Sequence, residues 1–247
     1  MDYFKIYDTL DSTNKEAQRL LAQGAGINGL TLFARHQTDG RGQLSRVWIS
    51  GPGSHVAMSI IHLPEHLPIS TLPTLSMKIS LGIVNALTSI DPSIQPLIKW
   101  PNDIYATGKK LCGILIENAL SGGKVQHSVI GIGMNVNEKE FPSPISNAIS
   151  LYQLTGSEFA PQQVALIIRE HVMAMLEEET YDWKSDYDQY VFGKGNQFTF
   201  LSEDSRFEAE VVGISMQGHL ILKNGDDKLR HYASHEVKWV VEGLIGL

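Results

Sequence analysis

Cysteine occurs once in these 247 residues, as Cys112, which excludes an internal disulfide framework and fits a reducing compartment. Long apolar runs are missing: none approaches the roughly 20 residues of a membrane span. The amino terminus, Met1-Asp2-Tyr3-Phe4-Lys5-Ile6, has no basic flank ahead of an apolar stretch, so it does not read as a signal peptide. Positive charge is scarce, with 20 Lys and Arg against 27 Asp and Glu. That balance argues against a broad nucleic-acid-binding face and leaves room only for a local basic loop. His36, His55 and His62 lack metal-ligand spacing, so zinc chemistry is not expected. Internal repeats and low-complexity segments are also absent. What remains is the composition of an ordinary globular protein, expected in the cytoplasm, long enough for one large domain or one large and one small.

Local patterns divide the chain unevenly. Asp11-Ser12-Thr13-Asn14-Lys15-Glu16 reads as a helix start, with Thr13 and Glu16 at capping-box spacing and Gly24 or Gly26 as the stop. Thr31–Arg35 reads as a strand feeding a glycine loop, and His55–His62 as a central strand apolar on both faces. Helical spacing of Leu72, Leu75, Ile79, Ile83 and Leu87 predicts a helix, with Pro73 tolerable in its first turn. Leu97–Trp100, Gly113–Glu117 and Val125–Met134 are further strands, and Pro161–Glu178 is a second long helix. Trp183, Tyr187, Tyr190 and Val191 predict one more. After Gly193-Lys194-Gly195-Asn196 come five short alternating runs parted by turn signals such as Gln217-Gly218 and Asn224-Gly225. The expected organisation is a domain over residues 1–192 and a small β-barrel over 193–247.

Two stretches carry chemistry. Gly40-Arg41-Gly42 alone reads as a surface turn. Its neighbours change that reading: Arg35, Arg41 and Arg46 bring three guanidiniums into twelve residues, and arginine suits planar contact with phosphate or carboxylate. Trp48, at the loop's end, either stacks on a base or packs into the core. Lys99-Trp100-Pro101-Asn102-Asp103 follows an apolar strand, where Asp103 is either a turn residue or a magnesium ligand beside substrate phosphates. Lys110, across a hairpin, brings a cation to the same point. Gly131-Ile132-Gly133-Met134-Asn135-Val136 fails as a dinucleotide fingerprint, because no apolar helix follows it. It reads instead as a strand end allowing close backbone approach, with Asn135 toward a ligand. Cys112, in an apolar strand with no partner at a familiar spacing, is not expected to be a nucleophile.

In order along the chain, Ser12-Thr13-Asn14, Gln37-x-x-Gly40-Arg41-Gly42, Lys99-Trp100-Pro101-Asn102-Asp103, Lys110-Leu111-x-Gly113-Ile114-Leu115-x-Glu117 and Gly131-x-Gly133-x-Asn135 resemble the motifs of biotin–protein ligases. The resemblance implies an α+β fold, a mixed central sheet flanked by helices of the class II synthetase-like biotin–lipoate ligase type, with a small SH3-like β-barrel at the C-terminus. It implies an ATP-dependent, AMP-forming ligase that makes biotinyl-5'-AMP and passes biotin to a lysine of a biotin carboxyl carrier protein domain. Carried over by position, Ser12, Thr13, Asn14, Gln37, Gly40, Arg41, Gly42, Gln43, Lys110 and Gly113 surround biotin. Arg41, Trp48, Asn102, Lys110 and Asn135 contact ATP, Asp103 holds Mg2+, and Lys110, Arg41 and Arg46 do the catalytic charge work. Neither nucleic acid nor membrane is implied as a partner, and a homodimer is compatible with the resemblance.

Two departures stand out. Gly40-Arg41-Gly42-Gln43-Leu44-Ser45-Arg46 has Gln43 and Leu44 where the family's best-known loop has two arginines. Motifs beginning at Asp11 also match the ligase-only type rather than members that open with a DNA-binding helix-turn-helix. The competing readings are a lipoate ligase or octanoyltransferase on the same fold, whose Arg-Arg-x-x-Gly-Gly-Gly stretch is missing here, and a non-catalytic biotin sensor.

Overall fold

The computed structural model describes residues 3–43, 47–48, 51, 53–142, 145, 147–179, 182–203, 205–225 and 227–240. Arg46 and Leu44, singled out in the loop, therefore lie outside the described residues. The chain runs β1 (Phe4–Leu10), α1 (Thr13–Ala22), β2 (Thr31–Gln37), β3 (His55–His62), a two-residue β4 (Leu67–Pro68) and α2 (Leu72–Ile90). Then come β5 (Leu97–Lys99), β6 (Asp103–Ala106), β7 (Lys109–Ser121), β8 (Lys124–Asn135), α3 (Leu151–Thr155), α4 (Pro161–Glu177) and α5 (Trp183–Gln189). The last strands are β9 (Gln197–Leu201), β10 (Arg206–Ile214), β11 (Leu220–Lys223), β12 (Leu229–Tyr232) and β13 (Lys238–Val240).

The large sheet has the order β1-β2-β3-β8-β7-β6-β5, with β4 added on β8. Only β1 and β2 are parallel; the other pairs are antiparallel, so the sheet is mixed. Strand alternation gives each face its own cover. Val56, Met58 and Ile60 of β3 enter the main core with Leu75, Ile79 and Ile83 of α2 and Val164, Ile168 and Val172 of α4. On the other face Ile61 joins Leu32, Val129 and Ala17 of α1 in a smaller cluster. All of β3 except His62 is buried, as its two apolar faces predict for a central strand.

α1 begins differently from expectation. Ser12, not Thr13, is the N-cap residue, and no side-chain cap bond forms there. The Thr13 hydroxyl is taken by Gln37, so a tertiary contact replaces the local capping box.

The C-terminal strands form a five-stranded antiparallel sheet, β12-β11-β10-β9-β13. This is the small β unit read from the sequence; a closed barrel is not shown among the described residues. The sheet docks on the segment between β5 and β6. Trp100 Nε1 donates to Gly218 O at 2.8 Å, and Trp239 Nε1 donates back to Trp100 O at 3.2 Å. Phe198 packs tilted and Trp239 edge-on against Phe192, whose ring centre is 5.3 Å from that of Tyr105. The buried Lys99 ammonium lies 4.9 Å from the Tyr105 ring centre and 5.5 Å from that of Trp239.

Candidate active site

The register places the site on the α1 face of the large sheet. Ser59 pairs with Gly131, Ala57 with Gly133 and His55 with Asn135 across β3 and β8. Gly133 pairs in turn with Gly113 on β7, and Gly113 with Asp103 on β6. Side chains two apart share a face, so this face carries three rows about 6.7 Å apart.

The first row is polar: Thr13, Asn14 and Ser59 are buried, Gln37 is half-buried and Glu117 is exposed. Gln37 Oε1 accepts from Thr13 N at 2.7 Å and from Thr13 Oγ1 at 3.1 Å. Ser59 Oγ lies 2.7 Å from Thr13 Oγ1 and 2.5 Å from Asn14 Oδ1. Asn14 Nδ2 donates to Glu117 Oε2 at 2.7 Å, which fixes the amide so that its oxygen faces Ser59. Thr13 spends its hydroxyl proton on Gln37, and Ser59 has one proton for two acceptors. Ser59 Oγ, Thr13 Oγ1 and Asn14 Oδ1 are thus gathered as acceptors on this wall.

In the middle row side chains vanish and charge appears. A Cβ built on Gly133 would lie 2.6 Å from Trp48 Cε2, and one on Gly113 3.1 Å from Trp48 Cζ3. The indole therefore lies across a glycine bed that no larger residue would leave open. Its Nε1 is buried without a hydrogen-bond partner. Lys110 Nζ sits 5.8 Å from the ring centre of the indole and 2.7 Å from Asp103 Oδ1. The Asp103 oxygen has no aligned hydrogen bond, so the contact is ionic. The β6–β7 hairpin brings this pair together, as expected for Lys110.

Other expected residues are placed less directly. Gly40 is buried, with Gly40 O accepting from Trp48 N at 3.0 Å, while Arg41 bridges to Val47 and closes the loop's base. Arg41 is exposed and pairs at 3.2 Å with Asp39, which Lys15 also holds at 2.5 Å. Hydrogen bonds from Lys15 and Arg41 keep the Asp39 carboxyl below the usual carboxylate range. Arg35 leaves the site to meet Asp8. Gln43 and Asn102 line a cavity of about 130 Å³ with Leu72, Ser76, Ile114 and Ile116, at the α2 side of β7. Asn102 Nδ2 donates to Ile114 O at 2.9 Å, and Asn135 Nδ2 to Ile149 O at 3.1 Å. Both amides thus tie strands to flanking backbone. Ser12 is buried at the head of α1. Burial pushes the Cys112 thiol well up, so it is no nucleophile.

Sequence reasoning missed Ser59, Glu117 and Lys15. A serine amid the apolar run Val56–Ile61 of a central strand was the available signal for the first, since a buried hydroxyl needs partners.

The model of the biotin/lipoate A/B protein ligase family matches residues 7–135, which hold every glycine and charge just described. The chain belongs to that family. This ligase-family chain is 31% identical to the bifunctional ligase/repressor BirA of Bacillus subtilis, over 92% of its own length and 71% of the relative's. It is 29% identical to the biotin–[acetyl-CoA-carboxylase] ligase of Mycobacterium tuberculosis, over 87% and 80% of the two lengths. Among solved structures, the biotin protein ligase from Aquifex aeolicus in complex with biotin and ATP superposes with a TM-score of 0.80 at 28% identity. That match spans 97% of this chain and 99% of the other.

Proposed function

We propose that this chain is a biotin–protein ligase. The biotin carboxylate attacks the α-phosphate of ATP, the bond to the β-phosphate breaks, and biotinyl-5'-AMP and pyrophosphate form. A lysine amine of a biotin carboxyl carrier protein domain then attacks the acyl carbon, AMP leaves, and an amide remains. The observation that carries the reading is the alignment of the three rows: an acceptor-rich wall, then Lys110 beside Asp103 and Trp48, then His55 and Asn135. A molecule with cyclic N–H donors at one end, an anion in the middle and a base at the other end suits that order.

Each step has a physical requirement. Carboxylate and α-phosphate repel, and the Lys110 ammonium offsets that repulsion where they meet. Arg41 and Arg46 would add charge as the loop closes over the product; closure keeps water from the mixed anhydride. Gln37, Thr13, Asn14 and Ser12 would hold the ureido ring, with Gly40, Gly42 and Gly113 around the rest of biotin; Gln43, on the α2 side of β7, would reach biotin only if the loop moved. A dithiolane offers no N–H for that wall, which favours biotin over lipoate. Trp48 and Asn135 are assigned to the adenylate, whereas Asn102, expected there, faces the α2-side cavity and holds Ile114 O.

Asp103 would supply Mg2+ with one carboxylate oxygen, Oδ2, since Oδ1 is held by the Lys110 ammonium at 2.7 Å, and Mg2+ takes one or two carboxylates with phosphate oxygens. When bound, the ion neutralises phosphate charge. In this reading residues 1–192 do the chemistry, residues 193–247 form an SH3-like unit, and ATP use implies the cytoplasm. Mixing the chain with biotin, ATP and a carrier domain tests it. Pyrophosphate release and a biotinylated carrier are expected; biotin binding without either product would leave only a sensor.

A further inference from the structure

In the third row one buried group has a ring nitrogen with no contact yet named. His55 is completely buried, and its Nε2 has no hydrogen-bond partner. Its Nδ1 lies 2.8 Å from Gly51 O, and since a carbonyl can only accept, Nδ1 carries the proton. Nε2 of the neutral ring is therefore a buried lone pair. His55 pairs with Asn135 on β8, on the face that carries Ser59 and the Trp48-covered glycines. Asn135 reaches the Lys110 backbone carbonyl, so this row lies at the Lys110 end of the bed, away from Thr13 and Asn14. From Gly113 to His55 the backbone separation is about 12 Å, two strand spacings of ~4.8 Å and one ~6.7 Å advance. A nucleoside monophosphate bridges that span with its phosphate at one end and its base at the other.

Resting on the ligase reading, we infer that His55 reads the nucleotide base: Nε2 accepts the exocyclic amino group of adenine and selects ATP against nucleotides that lack a donor there. Guanine would present its 6-oxo group and set two acceptors face to face, stranding a buried lone pair. His36 does not supply the missing donor: it stands on the same face of β2, and its own Nδ1 is buried and unpartnered. Burial, with a smaller contribution from His36, holds the His55 imidazole below the ordinary histidine range, which keeps Nε2 unprotonated near neutral pH.

The test compares ATP with purine riboside triphosphate, which lacks only the 6-amino group, in biotin-dependent pyrophosphate exchange. The expected preference of the unaltered protein for ATP is ~10-fold or more. His55→Leu, checked for folding by its melting transition, should remove most of that preference by weakening ATP and leaving the analogue unchanged. His55→Asn, which returns an acceptor oxygen, should restore part of it. Equal use of the two nucleotides by the unaltered protein, or an unchanged preference in folded His55→Leu, overturns the inference. Calorimetric affinities for the same two nucleotides need no turnover. Absence of exchange would thus remove the ligase reading while the affinity ratio still decided the role of His55.

Discussion

The indole of Trp48 and the backbone of Gly133 are in such close contact that a Cβ on the glycine would sit 2.6 Å from Cε2 of the ring. Gly133→Ala should therefore lift the indole from its bed and part it from Lys110. Trp48 is half-buried, so the cost in stability should stay at the lower end of the ~1–3 kcal/mol typical of overpacking. Indole fluorescence should shift to the red, and biotin-dependent pyrophosphate exchange should fall ~10-fold or more. A variant with unchanged emission and unchanged exchange would show that the contact does not shape the site.

Removing the central cation tests the chemistry itself. Lys110→Ala should cut adenylate formation by at least ~10²-fold, the usual cost of deleting a preorganised charge at the reacting centre. The Lys110–Asp103 pair is partly exposed, at 32% and 19% for the two side chains. Its loss should therefore change stability by only ~0–1 kcal/mol. Rapid-quench measurement of biotinyl-5'-AMP separates the two effects, and a wild-type rate would remove Lys110 from the mechanism.

What could be read from the sequence, and what could not, has a common physical cause. β3 was legible residue by residue because seven consecutive buried positions leave no polar face to confuse the pattern. β1 was not, since an edge strand with Lys5 and Asp8 exposed has no clean alternation. The hairpin that joins Asp103 to Lys110 followed from local spacing. By contrast, the Thr13–Gln37 bond spans 24 residues, and only the tertiary fold could reveal that it displaces the local cap. Asn135 was read toward a ligand from its place at a strand end and Asn102 from its motif position; their amide nitrogens serve Ile149 and Ile114 carbonyls, a need that only strand pairing exposes.

Acid should destabilise the fold through buried histidines. Burial lowers the pKa of His55 and His62, so the unfolded chain binds protons first as pH drops below about 6.5. From there down to each folded-state value the unfolded state is favoured, by at most about 1.4 kcal/mol per pH unit for each ring. Glu138 has the opposite sign: burial raises its pKa, so its contribution is lost as pH rises through that raised value. Urea melts at pH 7.5 and 5.5 should show lower stability at the acid end, and His62→Gln should shrink the difference. Stability that stayed level or rose on acidification would contradict this.

Docking of the C-terminal sheet hinges on one tight turn. Gly218 has φ of +76° and accepts the Trp100 indole N–H, and a Cβ there would lie 2.7 Å from Pro73 Cβ on α2. Gly218→Ala meets both penalties at once, a left-handed backbone and a collision with a rigid ring. The expected loss is roughly 1–3 kcal/mol in urea melts. Gly225→Ala, where nothing lies within 4 Å, should stay within about 0.5 kcal/mol. Limited trypsin digestion should cut Gly218→Ala faster at Lys194, where the chain enters the sheet and Lys194 Nζ donates to Asp188 O at 3.1 Å. Equal melts and equal cleavage in both variants would mean that the Trp100–Gly218 contact does not hold the sheet in place.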